Sequence, residues 1–222
     1  MSRSWSWTGS AVLFDMDGTL VDSGASVLRA WRWLATELDQ PFELFAEYLH
    51  GIPAGQVLAE VLPDLPADQR EQLASALNDR QVEDTSDVIA VAGALAALDA
   101  LPTARWAVVT SAPLALARSR IQAAGLPLPR NLITSETVQL GKPAPDPYLA
   151  AIERIGVPAE RCLVVEDSVA GVTAGVAAGC PVLGVLTTSD GLDGVLAVIS
   201  DLSEVAFTAD RLAVSVTIEA IG

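Results

Sequence analysis

Positive charge is scarce in this sequence: 13 lysines and arginines face 28 aspartates and glutamates, a formal net charge of −15. A chain this acidic is a poor partner for nucleic acid, whose phosphates are gripped by Lys and Arg. It also repels an anionic substrate unless a cation sits in the site. Cysteine is nearly absent. Cys162 and Cys180, both in apolar surroundings, read as buried thiols of a reducing compartment. No apolar run reaches the roughly 18 residues of a membrane span, and the opening MSRSWSWTGS lacks a basic-then-apolar signal. These absences predict a cytoplasmic protein with neither membrane nor nucleic acid as partner, monomeric by default. Apolar content, by contrast, is abundant. At 51% of 222 residues, it suffices for one large core or for a core with an insertion.

Short apolar runs stand out at Ala11–Phe14, Trp106–Val109, Leu132–Ile133, 163–165 and 182–186. Most are continuous and rich in Val and Leu, as strands buried on both faces of a parallel sheet are. Helical stretches separate most of them. Pro113 stands at the start of 113–124 and Gly125 just past its end, the expected asymmetry. Asp146 can cap a helix that has Pro147 at its first position and Gly156 as its stop. The small-residue run 169–178 closes at Gly179, and its Gly171 and Gly175 suit close helix–sheet packing. This alternation predicts an α/β fold with right-handed crossovers. The segment 23–90 breaks the rhythm. It offers helical patterns at 25–38, 43–49, 55–61 and 67–82, punctuated by Pro41, Pro53, Pro63 and Pro66, and no convincing strand. It is expected to be a helical domain over one end of a core formed by 1–22 and 91–222. Weak strand signals follow at 196–199 and 212–218.

Ligands of an open parallel sheet bind beyond the carboxyl ends of its strands. The loops at those ends carry Asp15, Asp17 and Gly18, then Thr110 and Ser111, then Glu166, Asp167 and Ser168. In 11-AVLFDMDGTLVDS-23 two carboxylates follow a buried strand two residues apart, hence on one face if the strand continued. Adding Glu166 and Asp167 to the same crevice is strongly destabilising unless a cation resolves the repulsion. Mg²⁺ suits the task, because it takes one or two carboxylates and completes its shell with water and phosphate oxygens. Lys142, in 140-LGKPAPDPY-148, is stiffened by prolines on its C-terminal side. Aimed at the acidic site, it would offset charge and hold a phosphate as a point charge.

The stretches DMDGTLVDS, VVTS, GKPAPDPY and VVEDSVAGVTAGVAAG, in that order, resemble the four motifs of the haloacid dehalogenase-like hydrolase superfamily. The helical insert resembles the α-helical cap of its first subclass. Further segments, SVLRAW, YLHG and LITSETVQLGKPAPDPYL, are similar to those of sugar phosphatases, among them 2-deoxyglucose-6-phosphate and glycerol-phosphate phosphatases. The likeness spans about residues 10–190. It implies a Rossmann-like three-layer α/β/α core with a parallel sheet, and an Mg²⁺-dependent phosphatase acting on small sugar or polyol phosphates. Carried over position by position, Asp15 is the nucleophile that forms a phospho-aspartyl intermediate. Asp17 protonates the leaving oxygen and then deprotonates the attacking water. The Asp15 carboxylate, the Asp17 carbonyl and Asp167 hold the metal, with Glu166 an outer partner through water. Thr110 and backbone N–H groups near Gly18 and Ser111 cradle the phosphoryl oxygens, and Lys142 neutralises charge. A carboxylate is a weak nucleophile, yet it splits hydrolysis into two easier steps. Phosphoryl transfer leaves the protein mainly positioning and charge stabilisation to supply.

His50 and Gly51, in 48-YLHGIP-53, are expected at the end of an insert helix, with a sugar contact implied by the His-Gly of the similar phosphatases. Residues that set specificity are expected within 45–55. Trp31 and Trp33 cannot share one helix face, so one should be core and the other exposed or near the entrance. Trp5 and Trp7 should pack on the flank of the core, while Asp22 and Ser23 shape the hinge. A mutase of the β-phosphoglucomutase kind is the alternative. Such mutases carry a histidine where Val27 falls here by ungapped alignment from Asp15, which argues against it. A dehalogenase lacks the counterparts of Asp17 and Asp167. A non-catalytic phosphometabolite sensor does not need all four motifs intact.

Overall fold

Alternation along the apolar runs decides the layering. Ala11 and Leu13 join one buried cluster, Val12 and Phe14 another, and the same split recurs at Ala107 and Val109 against Trp106 and Val108. Strands with two apolar faces need cover on both sides. The computed structural model describes residues 5–49, 51–210 and 213–218. In chain order, β1 (Trp5–Gly9) and β2 (Ala11–Phe14) lead to the short β3 (Val21–Asp22), then to helices α1 (Gly24–Glu37), α2 (Ala54–Val61) and α3 (Ala67–Glu83). The chain returns through β4 (Ile89–Ala90) to α4 (Ala94–Asp99), β5 (Trp106–Val109), α5 (Leu114–Ala123) and β6 (Leu132–Ile133). Then come α6 (Asp146–Ile155), β7 (Cys162–Glu166), α7 (Val169–Ala177), β8 (Val182–Val185), β9 (Ala197–Ile199), β10 (Val205–Ala209) and β11 (Val214–Ile218).

Six parallel strands form the central sheet, in the order β6-β5-β2-β7-β8-β9. The chain runs outward from β2 through β5 to β6, then crosses back to β7 on the other side of β2. The reversal between β2 and β7 opens a crevice at their carboxyl ends. One face is covered by α6 and α7. The other is covered by α4, α5 and a three-stranded antiparallel sheet, β1-β11-β10, that the sequence patterns did not announce. Trp5 and Trp7 on β1 are half-buried against that cluster, as expected of flank residues. The expected α/β class and layered core are therefore what the chain adopts.

Helices α1, α2 and α3 build a cluster of their own around Trp31, Leu34, Phe45, Val57, Leu58 and Leu77. Trp31 lies inside it, with its ring 5.5 Å from that of Phe45. Trp33 is half-buried, with the Arg80 guanidinium 5.0 Å from its ring centre. The two crossings between insert and core pair as a two-residue antiparallel ladder, Val21 with Ala90 and Asp22 with Ile89. Strands this short leave no periodic signal, so the sequence showed none at either crossing. The expected helix at 43–49 is instead two 3-10 turns, Phe42–Leu44 and Ala46–Tyr48. So brief a segment gains too few α-type bonds to offset nucleation. His50 and Leu212 lie outside the described residues. At α6, Pro145 stands at the N-cap, and Asp146 and Pro147 are the first helical residues.

Leu34 is fully buried in the insert cluster. Leu34→Ala should cost about 2–5 kcal/mol. Hydrogen exchange should show lost protection in α1–α3 while β2, β5 and β7 keep theirs.

Candidate active site

The Asp15 N–H bonds Val165 O at 2.9 Å, so the chain leaves β2 still laddered to β7. Beyond it, Leu20 and Val21 both donate to Met16 O at 2.9 Å, and Gly18 donates to Val21 O at 2.8 Å, closing a tight loop. Gly18 has φ +84°, and a Cβ there would overlap the Asp167 carboxylate. Glycine is thus required twice over. The Gly18 N–H is spent in closing this loop, while the phosphate cradle was expected of backbone N–H groups near Gly18.

Lys142 is fully buried and follows a loop that ends in a cis Lys142–Pro143 peptide. Its ammonium donates to Asp15 Oδ1, to Glu166 Oε1 at 2.5 Å and to Val109 O at 3.0 Å. All three protons are therefore used. Burial alone would lower the Lys142 pKa, but Asp15 and Glu166 raise it well above the ordinary lysine value. Glu166 is saturated. Lys142 and the Tyr148 hydroxyl (2.9 Å) reach Oε1, while Asp167 N–H, Ser168 N–H and the Ser168 hydroxyl reach Oε2 at 3.0, 3.1 and 3.0 Å. Gly171 makes this possible, since a Cβ there would overlap the Glu166 carboxylate. Gly175, against Val164 and Val182, likewise serves the close helix–sheet packing expected of both glycines.

Asp167 accepts from Thr19 at Oδ1 (3.1 Å) and from Thr188 at Oδ2. Single oxygens from Asp15, Glu166 and Asp167 lie within 4.8 Å of one another, and all three residues are buried. Burial raises Asp15 well above the ordinary carboxylate range; Lys142 pulls it back, and Glu166 and Asp167 add to the rise. Burial, then Glu166, pushes Asp167 up to about 7. Three buried carboxylates sharing one ammonium form an all-oxygen donor set in need of positive charge, which fits a hard divalent cation. Asp15 and Asp167 have lone pairs to give. Glu166, expected as an outer partner of the metal through water, has its oxygens taken by protein donors.

Asp17 is held apart from this cluster. Ser23 Oγ donates to its Oδ1 at 2.6 Å, and Arg120 Nη1 pairs with its Oδ2 at 2.7 Å. Its side chain is thus not among the clustered carboxylates, and Ser23 does more than shape the hinge. Thr110 is buried beside Asp15, and its hydroxyl accepts from Ala112 N–H at 3.0 Å. The Ser111 hydroxyl donates to Gly51 O at 2.8 Å. A Cβ on Gly51 would press on Ser168, and one on Gly141 would lie 2.8 Å from Pro53. The insert loop 51–53 is therefore docked on three core loops at once. Between them lies a cavity of about 70 Å³. Asp15, Asp17, Thr110 and Ser111 line its core side, and Leu49, Gly51, Ile52 and Ala54 line it from the insert.

Asn78 and Gln81 on α3 and Arg120 on α5 also line this cavity. They stand within helices, where no strand end marks them. Thr188 and Ser189, which clasp Asp167, follow β8 and were open to the same strand-end rule. The cysteines are free and buried, and burial pushes their thiols up to about 11 and 12, so both stay inert.

A carboxyl whose folded pKa is about 7 rather than 3.8 favours the fold most below the lower value and loses that contribution as pH rises through the upper one. Chelator-treated protein should therefore melt lower at about pH 8 than at about pH 5.5. Added divalent cation should recover more at the higher pH, and Asp167→Asn should flatten both effects in a thermal melt.

The haloacid dehalogenase-like hydrolase family matches residues 10–179. The chain is 39% identical to Hexitol phosphatase A of Escherichia coli (strain K12) over 181 residues, 80% of this chain and 83% of that protein. It is 32% identical to Glycerol-1-phosphate phosphohydrolase 2 of Saccharomyces cerevisiae over 192 residues, 82% of this chain and 76% of that one. A hydrolase from Pseudomonas syringae superposes with a TM-score of 0.80 at 26% identity, covering 88% of this chain and 94% of the other. None of the described helices is long and apolar enough to cross a membrane. With its carboxylates gathered between β2 and β7 and the family match running through all the loops that carry them, the chain belongs to the haloacid dehalogenase-like hydrolases.

Proposed function

We propose that this hydrolase is an Mg²⁺-dependent phosphatase of small sugar or polyol phosphates, working through a phospho-aspartyl intermediate. Residues 23–90 act as a cap over a core of 1–22 and 91–222, in a cytoplasmic monomer. One observation carries the proposal: Lys142 bonds Asp15 and Glu166 together beside Asp167, while Asp15 opens onto the cavity under the insert. An Asp15 oxygen attacks phosphorus, the bond to the sugar oxygen breaks, and Asp17 delivers a proton to that oxygen. Water then attacks the phosphoryl group on Asp15, Asp17 takes its proton, and inorganic phosphate leaves. Lys142 offsets the negative charge that Asp15 and the transferred group share. Mg²⁺ held by Asp15, Asp167 and the Asp17 carbonyl would supply further charge neutralisation for the phosphoryl oxygens.

The leaving group is addressed by the insert wall. Among its described cavity-lining residues Asn78 and Gln81 are the polar ones and none is charged. Such a wall favours a neutral hydroxylated chain over one bearing a second phosphate or a carboxylate. The names of the hexitol and glycerol-phosphate relatives agree with that preference. Val27, buried on the same wall, puts an alkyl group where the mutases carry histidine, which favours hydrolysis over mutase chemistry. A cavity of about 70 Å³ is far smaller than usual ligand pockets of about 300–1,000 Å³, so the cap must open to admit substrate.

A screen of sugar, polyol and bisphosphorylated compounds, read as inorganic phosphate, should give activity on glycerol or hexitol phosphates and little on bisphosphates. Chelation should abolish it and Mg²⁺ restore it. Asp15→Asn should reduce turnover by at least about 10⁴-fold in a protein that still folds; wild-type rates in that variant would remove Asp15 as nucleophile.

A further inference from the structure

Arg120 is 3% exposed on core helix α5, and its guanidinium faces three ways. Nη1 pairs with Asp17 Oδ2 at 2.7 Å, Nη2 donates to Gln81 Oε1 at 2.5 Å, and Nε is buried without a hydrogen-bond partner. Gln81 belongs to α3 and is itself buried, with its Nε2 donating to Leu77 O at 3.2 Å. The residue before Arg120, Ser119, donates to Val82 O at 2.9 Å, the residue after Gln81. Two successive residues of a core helix therefore hold two successive residues of an insert helix. The same guanidinium holds Asp17.

A buried ion pair is weak evidence of stabilisation, and one with an unpaired donor is weaker still. What the arrangement does supply is geometry. The rigid fork of Arg has two acceptors to satisfy at once, one on each side of the insert–core boundary. Ser23, at the N-cap of α1, fixes the other Asp17 oxygen at 2.6 Å. Both oxygens of the carboxylate are thus set by groups that depend on how the insert is docked.

We propose that Arg120 is a positioning residue that couples docking of α3, through Gln81, to the orientation of Asp17 for proton transfer. The inference rests on the acid/base role proposed for Asp17. Docking of the insert over substrate then aligns proton transfer in the same movement that excludes water, while Asp15, held by Lys142, needs no such signal.

The test separates proton transfer from nucleophilic attack. A polyol phosphate needs its leaving oxygen protonated; p-nitrophenyl phosphate does not, so its first-turnover release of nitrophenolate reports attack by Asp15 alone. Arg120→Met should lower kcat on glycerol or hexitol phosphate about 100-fold, with KM within about threefold and first-turnover nitrophenolate release within about threefold of wild type. Gln81→Leu, which leaves Arg120 in place, should show a smaller loss with the same selectivity, and it carries the test should Arg120→Met not fold. Parallel loss on both substrates, or no loss on either, would overturn the inference. Asp17→Asn is measured alongside. If it is selective and the Arg120 and Gln81 variants are not, the coupling alone fails; if Asp17→Asn is itself unselective, the proposed acid/base role falls and the coupling with it.

Discussion

The structure depends on one buried ammonium. Lys142 carries the single positive charge inside a group of three buried carboxylates, and each of its protons is spent within that group or on the strand carbonyl beside it. Charges taken out of water are tolerated only when paired and fully hydrogen-bonded. Glu166 meets that condition with donors on both oxygens, and Tyr148 adds its hydroxyl below and its ring against Lys142 at 5.1 Å. Burial first, and the neighbouring carboxylates after it, raise the pKa of Asp15 and Asp167, which leaves them in want of a cation. Stability and function meet in this imbalance: the same repulsion that burdens the fold is what a bound metal ion would relieve.

The sheet order brings the charges together. With β2 flanked by β5 and β7, residues from far-separated loops end within hydrogen-bonding distance at one rim. Small residues let them approach: Gly18 leaves room for Asp167, and Gly171 for Glu166. On the other side of the cavity the insert has an apolar cluster of its own. It is tied to the core near its base by the β3–β4 ladder and by α3 against α5. Within the insert, Arg29 bonds both Asp84 and Asp87 in bidentate fashion, fixing α1 to the segment that returns from α3. That pair is exposed and contributes direction more than stability.

The residues themselves determined the α/β class, the boundaries of the buried strands, the insert as a helical region, and the acidic motifs with their lysine. Each of these is written in local pattern: apolar runs, Pro and Gly punctuation, or carboxylates just past a strand. Asp15, Lys142 and Asp167 were legible for that reason. The tertiary structure decided what no local pattern encodes. It turned 43–49 into 3-10 turns, made an antiparallel sheet of the first and last described strands, and spent the Gly18 N–H inside its own loop. It also set Arg120 between Asp17 and Gln81. A helical arginine looks the same in sequence whether it faces solvent or a buried carboxylate, because its partners are fixed by how two helices pack. Chemistry anchored at strand ends can be read from the chain, while coupling between separately folded parts exists only once they touch.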